Sequence, residues 1–231
     1  MSQKLRSVVG AIAVAACAFT ACGGDGKSSD TTIGSPSTTG APADVLETAA
    51  MVPAIQAVLE LGASSSSTGP DLTACPLGDF DAMVAKAPAE VAARASIDDS
   101  LETYVYQPSG PNEPPHLQCG RGELGAYTGL PPEADYRDEL VRLLPDFIVT
   151  FDDDSTYLGG TIVRFCADPI GVGFSSFCEA DWYDDNVWVG VFIFGESESG
   201  STTLAEQWLV AILGDVVANV PLLAPTVQLA V

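Results

Sequence analysis

Hydrophobic and polar positions divide the chain into stretches of very different character. Behind Lys4 and Arg6, an uncharged run from Ser7 to Cys22 carries Val8, Val9, Ile12, Val14 and Phe19 among alanines. Gly23 to Pro42 is mostly Gly, Ser, Thr, Pro and Asp, with Ile33 as an isolated aliphatic residue, and no core can form from it. From Ala43 to Leu61 the apolar residues Val45, Leu46, Ala49, Val52, Ile55, Val58 and Leu61 recur at helical spacing, which predicts an amphipathic helix. Pro53 is expected to kink that helix or divide it. The run Ser64 to Ser67 then reads as a second linker. So apolar a stripe would invite association if left in water, so the helical segment is expected to dock on the main domain. The implied organisation is a leader over 1–21, a linker over 22–42, a helical segment over 43–61, a Ser-rich linker over 62–70 and a folded domain over 71–231.

The folded domain reads as α+β. Asp79 is placed to cap a helix over Phe80, Met83 and Val84, and Pro88 to open another through Val91 and Arg94. Glu133 to Leu144 has Tyr136, Leu140, Val141 and Leu144 on one side, with Pro145 as its stop. Strands follow. Phe147, Val149 and Phe151 alternate with Ile148 and Thr150, an Asp152-Asp153-Asp154-Ser155 turn comes next, and Thr161 to Cys166 returns. Phe177 to Tyr183 alternates again, Asp184-Asp185-Asn186 makes a turn, and Val187 to Phe194 is apolar throughout, as a central strand would be. Thr203 and Glu206 fit a capping box before Trp208, Leu209, Ile212, Val216 and Val220. The pattern predicts an antiparallel sheet of about four or five strands, with helices packed on one face.

Charge narrows the functions available. With 9 basic and 31 acidic residues the net charge is −22, so no basic face exists to neutralise phosphates, and nucleic acid is excluded as a partner. The single histidine, His116, rules out any metal site that needs two imidazoles and is the only one that could serve a Ser or Cys nucleophile. No motif asks for a cofactor.

The apolar run after Lys4 and Arg6 is a signal-peptide layout, about 14 residues long against the roughly 20 needed to cross a bilayer as a helix. It ends in Phe19-Thr20-Ala21-Cys22-Gly23, and the chain turns polar at once. This resembles the lipobox of bacterial lipoproteins. The resemblance implies general secretory export, cleavage before Cys22, a diacylglycerol thioether on its sulfur, and attachment to the extracytoplasmic face of the cell membrane. Several acyl chains on one residue make a stable anchor where one would not. A linker of about 20 residues reaches roughly 25 Å, and loss of Lys4 and Arg6 leaves 7 basic against 31 acidic residues, a body that anionic headgroups repel.

Beyond the anchor lie Cys75, Cys119, Cys166 and Cys178, an even set that in an exported chain reads as two disulfides. Cys166 and Cys178 fall at the end of one predicted strand and the start of the next, which pairs them and leaves Cys75 for Cys119. Taken with Cys75-Pro76-Leu77, Cys119-Gly120, Cys178-Glu179-Ala180-Asp181-Trp182 and Ala205-Glu206-Gln207-Trp208, the arrangement is similar to small secreted actinobacterial lipoproteins of unassigned function.

Candidate chemistry is sparse. His116 beside Pro114 and Pro115 reads as a surface loop residue, and no nucleophile elbow or Ser-x-x-Lys motif accompanies it. Two acidic groups, Asp152 with Asp153 and Asp154, and Asp181 with Asp184 and Asp185, read mainly as solvated turns and otherwise as weak calcium sites. The leading expectation is a non-enzymatic domain that binds an envelope protein or a small apolar or cationic ligand. A hydrolase using Glu179 or Asp181 in a carboxylate pair, and a calcium-stabilised structural module, are the alternatives.

Overall fold

A computed structural model describes residues 45–63, 71–97, 100–106, 114–131, 136–171, 175–195 and 199–230. Its helices are α1 (Met51–Ala63), α2 (Phe80–Ala85), α3 (Ala89–Ala92), α4 (Tyr136–Leu143) and α5 (Ser199–Leu223). Its strands are β1 (Glu102–Tyr106), β2 (His116–Arg121), β3 (Leu124–Gly129), β4 (Phe147–Phe151), β5 (Ser155–Tyr157), β6 (Gly160–Pro169), β7 (Phe177–Tyr183) and β8 (Trp188–Phe194). All described residues fall in one compact unit. Cys22 and the leader and linker around it lie outside the described residues, as does the Ser64 to Ser67 run.

The fold is α+β around a single antiparallel sheet, as the alternation predicts, but the sheet has 8 strands in place of four or five. Their order is β1-β2-β3-β8-β7-β6-β4, with β5 pairing β6 beside β4. The unforeseen strands are mainly β1 to β3, where glycines and polar residues interrupt the apolar alternation. Gly122, at φ 60°, makes the tight turn between β2 and β3 that a side chain would strain. At the outer edge of β1 the backbone of Leu72 donates to Thr103, Thr73 to Gln228 and Ala230 to Asp71. The chain segments flanking the domain thus cover an edge that would otherwise expose unpaired amides.

One face of the sheet packs on α5 and α1. Ala180 and Trp182 of β7 and Val189 and Val191 of β8 share a core with Trp208, Leu209, Ile212 and Val216 of α5, and with Met51, Ile55 and Val58 of α1. Trp208 donates to the carbonyl of Met83 at 2.9 Å, and its ring meets that of Phe80 edge-on. By length and composition α5 could cross a membrane, yet its buried stripe forms the centre of this core. Its high hydropathy arises because the outward stripe uses Ala211, Gly214 and Ala218 where charges are usual.

Helices are not confined to one face, contrary to the sequence reading. Leu140 of α4 packs on the opposite side, against a second apolar cluster containing Phe165, Phe177, Tyr127, Trp188 and Phe192. Arg137 of the same helix lies 4.7 Å over the Phe151 ring. Pro53 neither kinks nor splits its helix, because α1 begins only at Met51. The proline therefore sits in the first turn, where its missing N–H would have no intrahelical partner. The Thr203–Glu206 capping box does not form either. Thr203 lies inside α5, and Glu206 reaches across to accept from Arg164 at 2.7 Å and Ser155 at 3.0 Å.

Both expected disulfides are present. Cys166 and Cys178 face each other directly across β6 and β7, and Cys75 joins Cys119 of β2 with Cα atoms 5.8 Å apart.

Candidate functional site

The face turned away from α5 owes its chemistry to strand register. One cross-strand row runs Tyr104, Gln118, Tyr127, Gly190, Asp181, Val163. The next rows place Tyr106, His116, Gly129, Trp188 and Tyr183 on one side of it, and Glu102, Gly120, Gly125, Phe192, Glu179 and Phe165 on the other. Glycines in these rows leave space into which neighbouring rings lie flat. A Cβ on Gly125 would fall 2.0 Å from the Phe192 ring, one on Gly129 2.2 Å from the Trp188 indole, and one on Gly190 2.2 Å from the Tyr127 ring. The result is an aromatic surface with carboxylates set into it.

Glu179 and Asp181 stand two residues apart on β7 and so point to the same side. The Tyr127 hydroxyl lies between them, 3.0 Å from Glu179 Oε2 and within hydrogen-bond reach of Asp181 Oδ1. Asp181 is fully buried. Burial, then the Asp181 charge, pushes the Glu179 pKa well above the usual carboxylate range, and the Tyr127 contact offsets only part of this. A single phenolic proton serves two carboxylates poorly. The Tyr127 hydroxyl can donate to only one of the two carboxylates at a time, which leaves the other to face a like charge without that proton.

His116 is the first residue of β2, half-buried, and not the surface loop residue the sequence suggests. Its ring stacks on Tyr106 at 4.6 Å and meets the edge of Trp188 at 5.6 Å. Its nitrogens face the Pro114 carbonyl and the Gln118 side-chain oxygen, each at 3.3 Å. Desolvation outweighs those hydrogen bonds and lowers its pKa to about 4, so the ring is neutral near pH 7 and poorly matched to general-base work there.

Beside this cluster, over β1, β2 and β3, lies a hollow of about 390 Å³. Gly120 lies in its floor, Tyr104, Phe192 and Phe194 form apolar walls, and Glu102, Arg121 and Glu123 line the rim. Arg121 pairs with Asp81, and Glu123 accepts from Arg94 at 3.1 Å. Glu102 has no ion pair among the described residues, and its charge adds to burial in raising the Tyr104 pKa.

The two acidic groups singled out in the sequence are not brought together as cation sites. Asp184 accepts from the backbone of Asn186 and Val187 and from Thr48, which makes it a turn former that also docks the segment before α1. Asp181 points into the aromatic face instead. At the other turn, Arg137 reaches the Asp152 carbonyl and the Asp154 carboxylate, Arg164 the Asp153 carbonyl, and Thr202 the Asp152 carboxylate. No group of three or more His, Cys, Asp or Glu side chains placed to hold a metal occurs among the described residues.

Sequence reasoning nominated Glu179, Asp181 and His116 but missed Tyr127, Tyr104 and Glu102. The signal available was the pairing of Gly125, Gly129 and Gly190 with aromatic residues, which becomes legible only once register is known. No family model, curated protein or solved structure matches this chain. The α+β architecture and its aromatic, carboxylate-bearing face therefore stand on their own geometry.

Proposed function

We propose that the chain is a lipoprotein of the cell envelope, anchored through acylated Cys22 on the extracytoplasmic face of the membrane, with a non-enzymatic binding domain. The observation that carries this reading is the pairing of Cys75 with Cys119 and of Cys166 with Cys178. Disulfides of this kind belong to oxidising compartments. They also account for every cysteine after Cys22, so a chain cleaved before that residue has its one remaining thiol at the new N-terminus, where the lipobox-like Phe19-Thr20-Ala21-Cys22 puts the lipid.

Binding is favoured over catalysis by the placement of the carboxyls. A glycosidase pair needs about 5 to 9.5 Å of open space between its acids for the scissile bond or a water. Here the Tyr127 phenol fills the gap between Glu179 and Asp181. Arginines occupy the turn that a calcium-stabilised module would use. The test is expression of the full chain in a bacterium with lipoprotein-processing enzymes, followed by mass spectrometry of the N-terminal peptide. Expected is a diacylglyceryl mass increment on Cys22 with the protein in the membrane fraction, and release of Cys22→Ser from that fraction. An unmodified thiol, or wild-type protein free of membranes, overturns the reading.

A further inference from the structure

We infer that the hollow over β1, β2 and β3 is a binding site for a small organic cation, an amine or guanidine carried on an apolar body. This deepens, and rests on, the reading of the domain as a binding module.

The hollow is built by register. Glu102, Gly120, Gly125 and Phe192 follow one another across four strands, with Tyr104 and Gln118 in the adjacent row. Gly120 raises no side chain from the floor, and the absence of one on Gly125 lets the Phe192 ring lie over it and close one side. The volume of about 390 Å³ lies in the range of small-molecule sites. Its apolar walls, Tyr104 and Phe192, face a body the width of a ring or short alkyl chain.

Charge then selects the ligand. Arg121 and Glu123 are neutralised by Asp81 and Arg94, and Arg94 also donates to the Phe194 carbonyl, which fixes that end of the hollow. The Glu102 carboxylate has no ion pair among the described residues, so the net charge presented to a ligand is negative. The chain as a whole carries −22, which adds to the attraction of cations. Aromatic faces next to a carboxylate favour a positive group electrostatically. A carbohydrate would need several free polar partners, but the Gln118 amide is already engaged by His116 and Tyr104.

The probes are phenethylamine, neutral 2-phenylethanol and anionic 3-phenylpropionate, titrated into the isotope-labelled full-length protein and followed by NMR. Phenethylamine is expected to shift the amides of Tyr104, Gln118, Gly120 and Phe192 saturably. The alcohol should bind at least about fivefold more weakly, as expected for loss of one charged contact, and the propionate more weakly still. Glu102→Gln, at an exposed position where folding is unaffected, should weaken phenethylamine by a similar factor with an unchanged melting temperature. Equal binding of amine and alcohol, or an indifferent Glu102→Gln variant, overturns the cation assignment while leaving a binding hollow in place. If no probe moves these amides up to about 20 mM, the site falls, while a domain that binds an envelope protein through another surface is untouched. The anchor is unaffected, because the mass of the Cys22 peptide tests it separately.

Discussion

Gly190 shows how much of the aromatic face depends on an absent side chain. It lies between Tyr127 of β3 and Asp181 of β7 in register, and a Cβ there would come within 2.0 Å of Asp181 Oδ1. Gly190→Ala is expected to destabilise the protein by about 1–3 kcal/mol in urea unfolding, the usual cost of overpacking a filled site. The two perturbed groups beside it act on stability with opposite signs. Glu179 holds a proton in the folded state that the unfolded chain releases above its ordinary value of 4.5, so its contribution is lost as pH rises through the raised folded pKa. His116 binds its proton less readily when folded, between about 4 and 6.5, so its contribution is lost as pH falls through that window. In thermal melts from pH 4 to 9, Glu179→Gln should match the wild type near pH 5 and exceed it near pH 8. His116→Gln should flatten the acid limb. A wild-type melting temperature that is level across both windows would contradict the raised Glu179 pKa and the lowered His116 pKa.

At the level of elements, the legible parts were those whose local pattern agreed with their final burial. β4, β7 and β8 announced themselves by alternation or by continuous apolarity, and Asp79 caps α2 by accepting from the backbone of Asp81 and Ala82. β1, β2 and β3 did not. Their outward positions hold Gln118, Gly120, Gly125 and Gly129, whose lack of bulk has meaning only against rings supplied by β8, some 60 residues away in register terms between Thr128 and Trp188. α1 was misjudged for a related reason. Pro53 disrupts a helix that starts before it but suits one that starts at Met51, and the start is set by the docking of Thr48 on Asp184. Pro53→Ala is therefore expected to change stability by less than about 1 kcal/mol, with unaltered helical circular dichroism. A larger loss would show that the proline holds α1 in place.

For the whole molecule, two disulfides tie together regions of very different sequence separation. Cys75–Cys119 spans 44 residues and Cys166–Cys178 spans 12. In the chain-entropy account the first is worth about 4 kcal/mol and the second about 3 kcal/mol, so Cys75→Ala with Cys119→Ala should lower stability more than Cys166→Ala with Cys178→Ala. Denaturant midpoints of the two double variants measure this, and the reverse order would mean that the β6–β7 pairing depends on its covalent link. The sequence by itself determined the α+β class, the antiparallel pairing after Leu144, the core stripe of α5 and the cysteine partners, because periodicity and chain connectivity are local properties. Only the tertiary structure decided that the sheet continues through β1 to β3, that Tyr127 stands between Glu179 and Asp181, and that Glu102 overlooks a glycine-floored hollow. Those juxtapositions depend on strand order and register, which long-range packing selects from among arrangements that the local pattern leaves equally open.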